Sequence, residues 1–382
     1  MYEIIKEFPH EIIFETGGPN VSIYQPTHKS RPENMQDPIR FKNLTQRIKN
    51  SLEEKYSGEE VESIMERLKE IEQDKTFWNN TKDGLAILVN KNDCVVYKLN
   101  REVDELAVVA DNFHIKPLIR NFQSADKYHI LGITRNDFNI YEGNRYGIEM
   151  LEIDEDVDKT KKEVLGDQYT ESNLMTGRYS GGATGSTTVQ GVGSRKDEID
   201  KDTEKYFRYI DKFISENYSK VMELPLMLVA LSEHQGEFRN LSKNNYLLEE
   251  GINKDPEALP REEIEKLSWE KMEPLYIQRT KDLVDRYEFQ RSKFLATDDL
   301  AEIARAALEG KIDTVMVEHG NIEPGRINRK TGEIERGELE NPELDDVLDD
   351  LGELALKSDS EVIVLPSDRM PSDTGIAAIF RY

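Results

Sequence analysis

GRYSGGATGSTTVQGVGSRK, residues 177–196, separates a strand-rich stretch from a long helical one, and the fold is read outward from it. It lies in a run from Ser172 to Lys196 that holds no Asp or Glu, although the chain carries 76 acidic residues in 382. At that frequency such a run would hold about five acids. Six glycines and six Ser or Thr fall between Gly177 and Lys196, and the charged side chains are Arg178, Arg195 and Lys196. This composition buries too little apolar surface to offset backbone ordering, so a long loop is expected. Loops of this length are usually functional or linkers. A solvated linker is the commoner outcome for Gly/Ser-rich sequence. An acid-free, basic loop on an acidic protein points instead to a tip that approaches a polyanion.

Before the loop, HILGI (His129 to Ile133) and FNIYE (Phe138 to Glu142) read as a hairpin turning at TRND, followed by the charged stretch DEDVDKTKKE. After it, Ile199, Phe207, Ile210, Phe213 and Ile214 mark a helix face, and LPLMLVAL (Leu224 to Leu231) is a buried strand. The order is strand, strand, loop, helix, strand. Upstream, VSIYQP (Val21 to Pro26) is a strand ended by proline. Ile39, Leu44, Ile48 and Leu52, then Val61, Ile64, Met65, Leu68 and Ile71, lie near helical spacing, with a break at Ser57-Gly58. GLAILV and CVVYKL, joined by NKND, form a second hairpin. Downstream, a helix from Ile277 to about Leu295 leads to DDLAEIARAALEG, where Asp298 is the expected N-cap and Gly310 the C′ residue. DTVMVE, LDDVLDDLGELALK, EVIVLP and GIAAIFRY then read as strand, helix, strand, strand, an α/β alternation with parallel pairing. The expected domains are 1–125, 126–273 and 274–382.

The net charge of −25 excludes broad binding of naked nucleic acid, so any RNA contact must come from local basic islands. One cysteine, Cys94, allows no intrachain disulfide and suits a reducing compartment. The N-terminus MYEIIKEFPHEII has no signal-peptide pattern and no segment is long enough to span a membrane, so a cytoplasmic protein is expected.

GGATGSTT is not a nucleotide-hydrolysing P-loop, because Gly185 is followed directly by Ser186 with no Lys. The six histidines are scattered without ligand spacing, and no G-x-S-x-G elbow occurs, so neither a metal site, a cofactor nor a serine hydrolase is expected. From Val21 to Asn50 the charge inverts: Lys29, Arg31, Arg40, Lys42, Arg47 and Lys49 stand against Glu33 and Asp37. A solvated helix face accounts for the last three, and phosphate contact is the functional reading. From Glu333 to Glu353 ten acids stand against Arg336 alone. A solvated helix with an acidic loop is the favoured reading there, with a docking surface for a basic partner as the alternative.

Several of these segments together resemble one family. DRMPSDTGIAAIFRY is similar to the end of the third domain of archaeo-eukaryotic class-one peptide-chain release factors and of Pelota, and LAEIARAALEGKIDTVMVE to the start of that domain. KDGLAILVN and VADNFHIKPLI resemble segments of the first domain, and KYHILGITRNDFNIYEGN the first hairpin of the second. DKTFWNNTKDGLAILV with FHIKPL is similar to the bacterial members, the baeRF proteins. The order and spacing agree from about Val21 to Tyr382. No single motif is diagnostic, and the collinearity carries the resemblance.

The resemblance implies an α/β protein of three domains: an α/β N-terminal domain, an RNase H-like middle domain with a long loop, and an α/β/α C-terminal domain like kink-turn-binding ribosomal proteins. It implies a ribosome partner (rRNA, with tRNA as a further contact) and a translational GTPase at the C-terminal domain. The functional loop would be Arg178, Gly181, Gly182, Gly185, Gln190, Gly191, Gly193, Arg195 and Lys196. The basic island from Lys29 to Lys49 would face RNA of the decoding region. One departure matters. Release factors carry Gly-Gly-Gln at the loop tip, whereas Gly181-Gly182 is followed by Ala183, and the loop's one glutamine is Gln190. Pelota lacks the tripeptide too and acts in rescue without hydrolysis, and some bacterial relatives bind vacant ribosomes. The expectation is therefore a non-enzymatic factor that occupies the A site in rescue or hibernation. The alternatives are a peptidyl-tRNA hydrolase using Gln190 and an RNA-processing enzyme on an RNase H-like fold.

Overall fold

A computed structural model describes residues 2–169, 192–337 and 345–382, with backbone only at 124, 168, 192–196 and 345. The chain divides into two units, Met1–Ala125 with Ile277–Tyr382, and Asp126–Tyr276. The fold is mixed α/β with several sheets.

The first segment builds a sheet from β1 (Glu3–Ile5), β2 (Asn20–Pro26), β3 (Gly84–Val89), β4 (Cys94–Leu99) and β5 (Leu106–Ala110), in the order β1-β4-β3-β2-β5. All pairs are antiparallel except β1 with β4. The β3–β4 turn is fixed by Asn90, whose side-chain oxygen accepts from the N–H groups of Asn92 and Asp93, both at 2.8 Å. Helices α1 (Asp37–Lys55) and α2 (Gly58–Gln73) cover one face through Phe41, Leu44, Ile48, Leu52, Val61, Ile64, Leu68 and Ile71. Ile39, expected in that stripe, is 63% exposed; Phe41 takes the core position at the helix start. Ser57 and Glu60 form the capping box that begins α2. Short helices α3 (Lys75–Asn79) and α4 (Lys116–Phe122) complete the segment.

The middle unit holds β6 (Tyr128–Ile133), β7 (Phe138–Asn144), β8 (Gly147–Met150), α5 (Lys161–Leu165), α6 (Val192–Ile214), α7 (Lys220–Met222), β9 (Leu226–Val229), α8 (Ser232–Leu241), β10 (Leu247–Ile252) and the start of α9 (Arg261–Arg291). Its sheet runs β10-β9-β6-β7-β8. β6, β7 and β8 are antiparallel neighbours, whereas β9 is parallel to both β6 and β10. Leu131, Ile133 and Leu228 pack against Tyr206, Phe207, Ile210 and Ile214 of α6, as the helix-face spacing predicts. Ile130, Met227 and Val229 pack on the other face with Ile264 and Met272 of α9. Burial on both faces explains why β6 and β9 read as unbroken apolar runs. Helix α9 continues through Pro274, whose ring would ordinarily end or kink it.

The last segment adds β11 (Ala296–Thr297), α10 (Leu300–Leu308), β12 (Ile312–Glu318), β13 (Pro324–Ile327), β14 (Ile334–Arg336), β15 (Asp345–Asp346), α11 (Val347–Lys357), β16 (Glu361–Leu365) and β17 (Ile376–Phe380). The main sheet is β11-β17-β12-β16, with β12 parallel to β16 and antiparallel to β17. The N-cap of α10 is Asp299, which accepts from Glu302 N at 2.8 Å, one residue beyond the expected Asp298. First and last segments share one core, in which Phe113, Leu118 and Ile119 meet Leu348, Leu351 and Val362. Burying each such side chain contributes about 1.5–3 kcal/mol. Among the described residues no helix is long and apolar enough to cross a membrane.

Candidate functional site

In the middle unit the described chain resumes at Val192, the start of α6. Arg178, Gly181, Gly182, Gly185, Gln190 and Gly191 lie outside the described residues, and Gly193, Arg195 and Lys196 are described only as backbone of α6. One turn further on, Ile199, Asp200 and Thr203 line a crevice of about 540 Å³ with Thr134, Arg135 and Asn136 after β6, and Leu231, Glu233, His234 and Glu237 after β9. It opens at the carboxyl ends of β6 and β9, where the sheet order reverses, the place at which open α/β sheets leave room for ligands.

The titrations around it are displaced. Burial pushes the Lys161 ammonium down, against the pull of Asp202; Lys161 donates to Thr203 Oγ1 at 2.6 Å. Burial and then Asp200 push the Glu237 carboxyl up. Burial holds the His234 imidazole down, and its Nδ1 has no hydrogen-bond partner among the described residues. Such displaced groups in a cleft mark a candidate site on physical grounds. Sequence reasoning passed over all three, because Lys161 sits in a charged run that looks solvated and the other two lie on an ordinary amphipathic helix. No group of three His, Cys, Asp or Glu among the described residues is arranged to hold a metal ion.

The basic island of the first segment is more neutral than its own sequence suggests. Lys29 pairs with Asp83 at 2.6 Å, Arg47 and Arg40 with Glu105, and Lys49 with Glu53 at 3.6 Å. Arg40 also donates to the Pro26 carbonyl and approaches Asp37, which is fully buried at the start of α1 and accepts from His28 N at 2.8 Å. Arg31 and Lys42 are exposed and have no carboxylate partner among the described residues. Asp83 and Glu105 are distant in sequence, so a local count could not include them.

The acidic run ending at Glu353 departs from the solvated helix expected of it. Asp346, Asp349, Asp350 and Glu353 are each 3% exposed or less. They recur at i, i+3, i+4 and i+7, one face of α11. That face turns inward because its counter-charges are buried with it. Asp349 accepts from Ile115 N at 2.9 Å and from Lys116 N, and the Lys116 ammonium bonds Asp346. Asn112 donates to Asp350 at 2.9 Å, and Arg329 grips Glu353 through two bonds of 3.0 and 2.7 Å. Burial and then Asp346 push the Asp349 carboxyl up to about 8. These four acids are spent on the fold and are not a docking surface. Residues 338–344 of the run lie outside the described residues.

Residues 127–311 match the family model of bacterial archaeo-eukaryotic release factor family 3, a span that takes in the hairpin, the acid-free run, the crevice and all of α9. Over those residues the chain is similar to that family. No curated protein gives a significant match. Among solved structures, an archaeal translation termination factor, aRF1, is 14% identical, over 97% of this chain and 95% of that one, with a TM-score of 0.23. Archaeal Pelota, from a model of ribosome-bound Pelota and ABCE1, is 13% identical over 78% and 77% of the two chains, with a TM-score of 0.40. Dom34 of S. cerevisiae, described as a termination-like factor in RNA quality control that interacts with Hbs1, is 11% identical over 78% and 73%, with a TM-score of 0.36. The release factor family match rests on the middle of the chain.

Proposed function

We propose that this protein is a ribosome-associated translation factor that occupies the A site in rescue or hibernation. The observation that carries the reading is the release factor family match over 127–311, with the acid-free run from Ser172 to Lys196 inside it. The sheet order β8-β7-β6-β9-β10, with three antiparallel strands and then two parallel ones, supports reading the middle unit as RNase H-like. The loop would be the part that reaches RNA, and Arg31 and Lys42 would be the first-segment cations available to phosphate. A translational GTPase would meet the last segment. The test is sedimentation of cell lysate through sucrose gradients after starvation and after induced stalling. Co-migration with ribosomes in either state is expected; its absence from both would sink the proposal.

A second reading keeps hydrolysis, because the loop does contain one glutamine, Gln190. It requires peptide release from stalled complexes that falls sharply in Gln190→Ala. The RNA-processing alternative gains no support: β6 carries no acid, and the crevice acids do not gather into a metal-holding set among the described residues.

A further inference from the structure

The C-terminal end of α9 closes with two backbone bonds, from Leu295 N to Gln290 O and from Phe294 N to Arg291 O, both 3.0 Å. This is the helix stop in which the C′ residue takes a left-handed backbone conformation, normally the place of glycine. The same pair of bonds ends α10, and there Gly310 occupies the position with φ +66°. In α9 the position is held by Phe294 with φ +61°, a conformation disfavoured for any residue with a Cβ. The fold gains nothing visible in return, since the Phe294 side chain is 92% exposed.

Phe294 does not stand alone. Phe289, on the last turns of α9, is 60% exposed, and the Lys293 ammonium lies 3.9 Å from the centre of its ring. β11 pairs antiparallel with β17, and Phe380 N donates to Leu295 O at 2.9 Å. Beyond Phe380 the chain turns toward β12, where Arg381 N donates to Lys311 O at 2.9 Å. Arg381 donates to the carbonyls of Ile312, Ser358 and Asp359. Neither Lys293 nor Arg381 pairs with a carboxylate among the described residues, whereas nearby Arg291 and Lys311 do, with Asp298 and Glu309. The helix end thus carries two exposed rings, Phe289 and Phe294, with the uncompensated cation Lys293 between them in sequence and no large exposed aliphatic side chain among 289–295.

We propose that Phe289 and Phe294, with Lys293, form a stacking platform for unpaired RNA bases. Ring faces accept a base of any identity, and the adjacent Lys293 ammonium meets the phosphate between stacked bases. Double-stranded RNA offers no free base face to such a platform. On a chain of net charge −25 an RNA contact has to be local and ring-based rather than a broad electrostatic surface. The inference extends the reading of a ribosome-binding factor, because it gives the last segment an RNA contact of its own.

The test uses the purified full chain and a fluorescent single-stranded RNA of about 12 nucleotides, within the span such surfaces cover, compared with the same sequence as a duplex. Fluorescence anisotropy at low salt should find the single strand preferred, with binding weakened roughly tenfold in Phe289→Ala and again in Phe294→Gly. Phe294→Gly should melt at the same temperature or higher, because glycine accepts the left-handed conformation. Loss of RNA binding in that variant is therefore not a loss of folding. No preference for the single strand overturns the proposal, as does wild-type affinity in both variants. Photo-crosslinking from position 294 to a protein rather than to RNA in ribosome-containing lysate overturns it too. Ribosome sedimentation is scored separately: its absence in the wild type sinks the factor reading and leaves the oligonucleotide result standing.

Discussion

The backbone N–H of Lys116 donates to the Asp349 carboxyl, so a residue of the last segment caps a helix of the first, 233 positions away. Helix α4 has no side-chain cap of its own, since its N-cap residue is Ile115. Its first N–H groups would otherwise be buried without partners, a loss of about 1–3 kcal/mol for each. Asp349 takes two of them, while the Lys116 ammonium answers Asp346, the N-cap of α11 itself. Each segment thus supplies a charge that completes the other's helix start, and the apolar contacts of Ile119 and Leu351 lie in the same core.

Asp349→Ala should destabilise the unit by about 2–4 kcal/mol, because it strands buried donors and leaves a hole. The pH dependence carries the signature. The folded carboxyl is raised to about 8 by burial and by Asp346, above its unfolded value near 4. The folded state therefore holds a proton that the unfolded state releases. Stability from this group is full below the unfolded value and is lost as pH rises through about 8. Urea melts at pH 5 and pH 8.5 should show wild type weaker at the higher pH, with that difference reduced in Asp349→Asn. An unchanged difference would mean that Asp349 is not the group responsible.

Arg329 and Glu353 form the other buried pair of this face, with Glu353 fully buried and Arg329 partly so. Arg329→Met should cost about 3 kcal/mol, since it leaves a carboxylate enclosed without its partner. Adding Glu353→Leu should recover most of that loss, as replacing both charges by apolar groups often does. Denaturation midpoints of the two single variants and the double variant decide it. Strict additivity would show that the two side chains do not interact.

How far the sequence could be read follows from how far apart the interacting residues lie. The β3–β4 and β6–β7 hairpins are readable because each pair of strands is joined by a few residues with turn chemistry, and Asn90 closes the first by bonding its own neighbours. The starts of α2 and α10 are readable to within a residue, because a cap acts on its own helix. The inward turn of the α11 acids is not readable, since it depends on Lys116 and Asn112, more than 200 positions away. The neutralised island from Lys29 to Lys49 fails for the same reason, with Asp83 and Glu105 as the unseen partners. Phe294 is hidden differently: an aromatic residue just past a helix looks like core, and its exposure depends on the left-handed stop that holds it outside.

His129 gives the middle unit an acid sensitivity of its own. Its ring is 1% exposed, and neither nitrogen has a hydrogen-bond partner among the described residues. Burial lowers its pKa in the folded state. Protonation therefore favours the unfolded chain, and stability is lost as pH falls below about 6.5, the ordinary histidine value. His129→Phe should flatten the melting temperature of this unit between pH 7 and pH 5 and raise it at pH 5. The direction is opposite to that of Asp349, so hydrogen exchange resolved by segment should find β6 opening in acid and α4 opening in base. Both segments responding to the same pH change in the same direction would contradict the assignment.

Arg31 and Lys42 separate the functional reading of the basic island from a structural one. Lys29, Arg40, Arg47 and Lys49 already answer carboxylates, so their removal mainly unbalances the surface. A phosphate contact releases counterions, and each one lost lowers the salt slope of binding by about 1. If the first segment meets rRNA, Arg31→Ala and Lys42→Ala should each weaken ribosome binding and flatten its dependence on salt, whereas Lys49→Ala should do neither. Filter binding to purified ribosomes across a salt series measures both quantities. Equal slopes for all four proteins would remove the island from the RNA-contacting surface and leave that role to the rest of the chain.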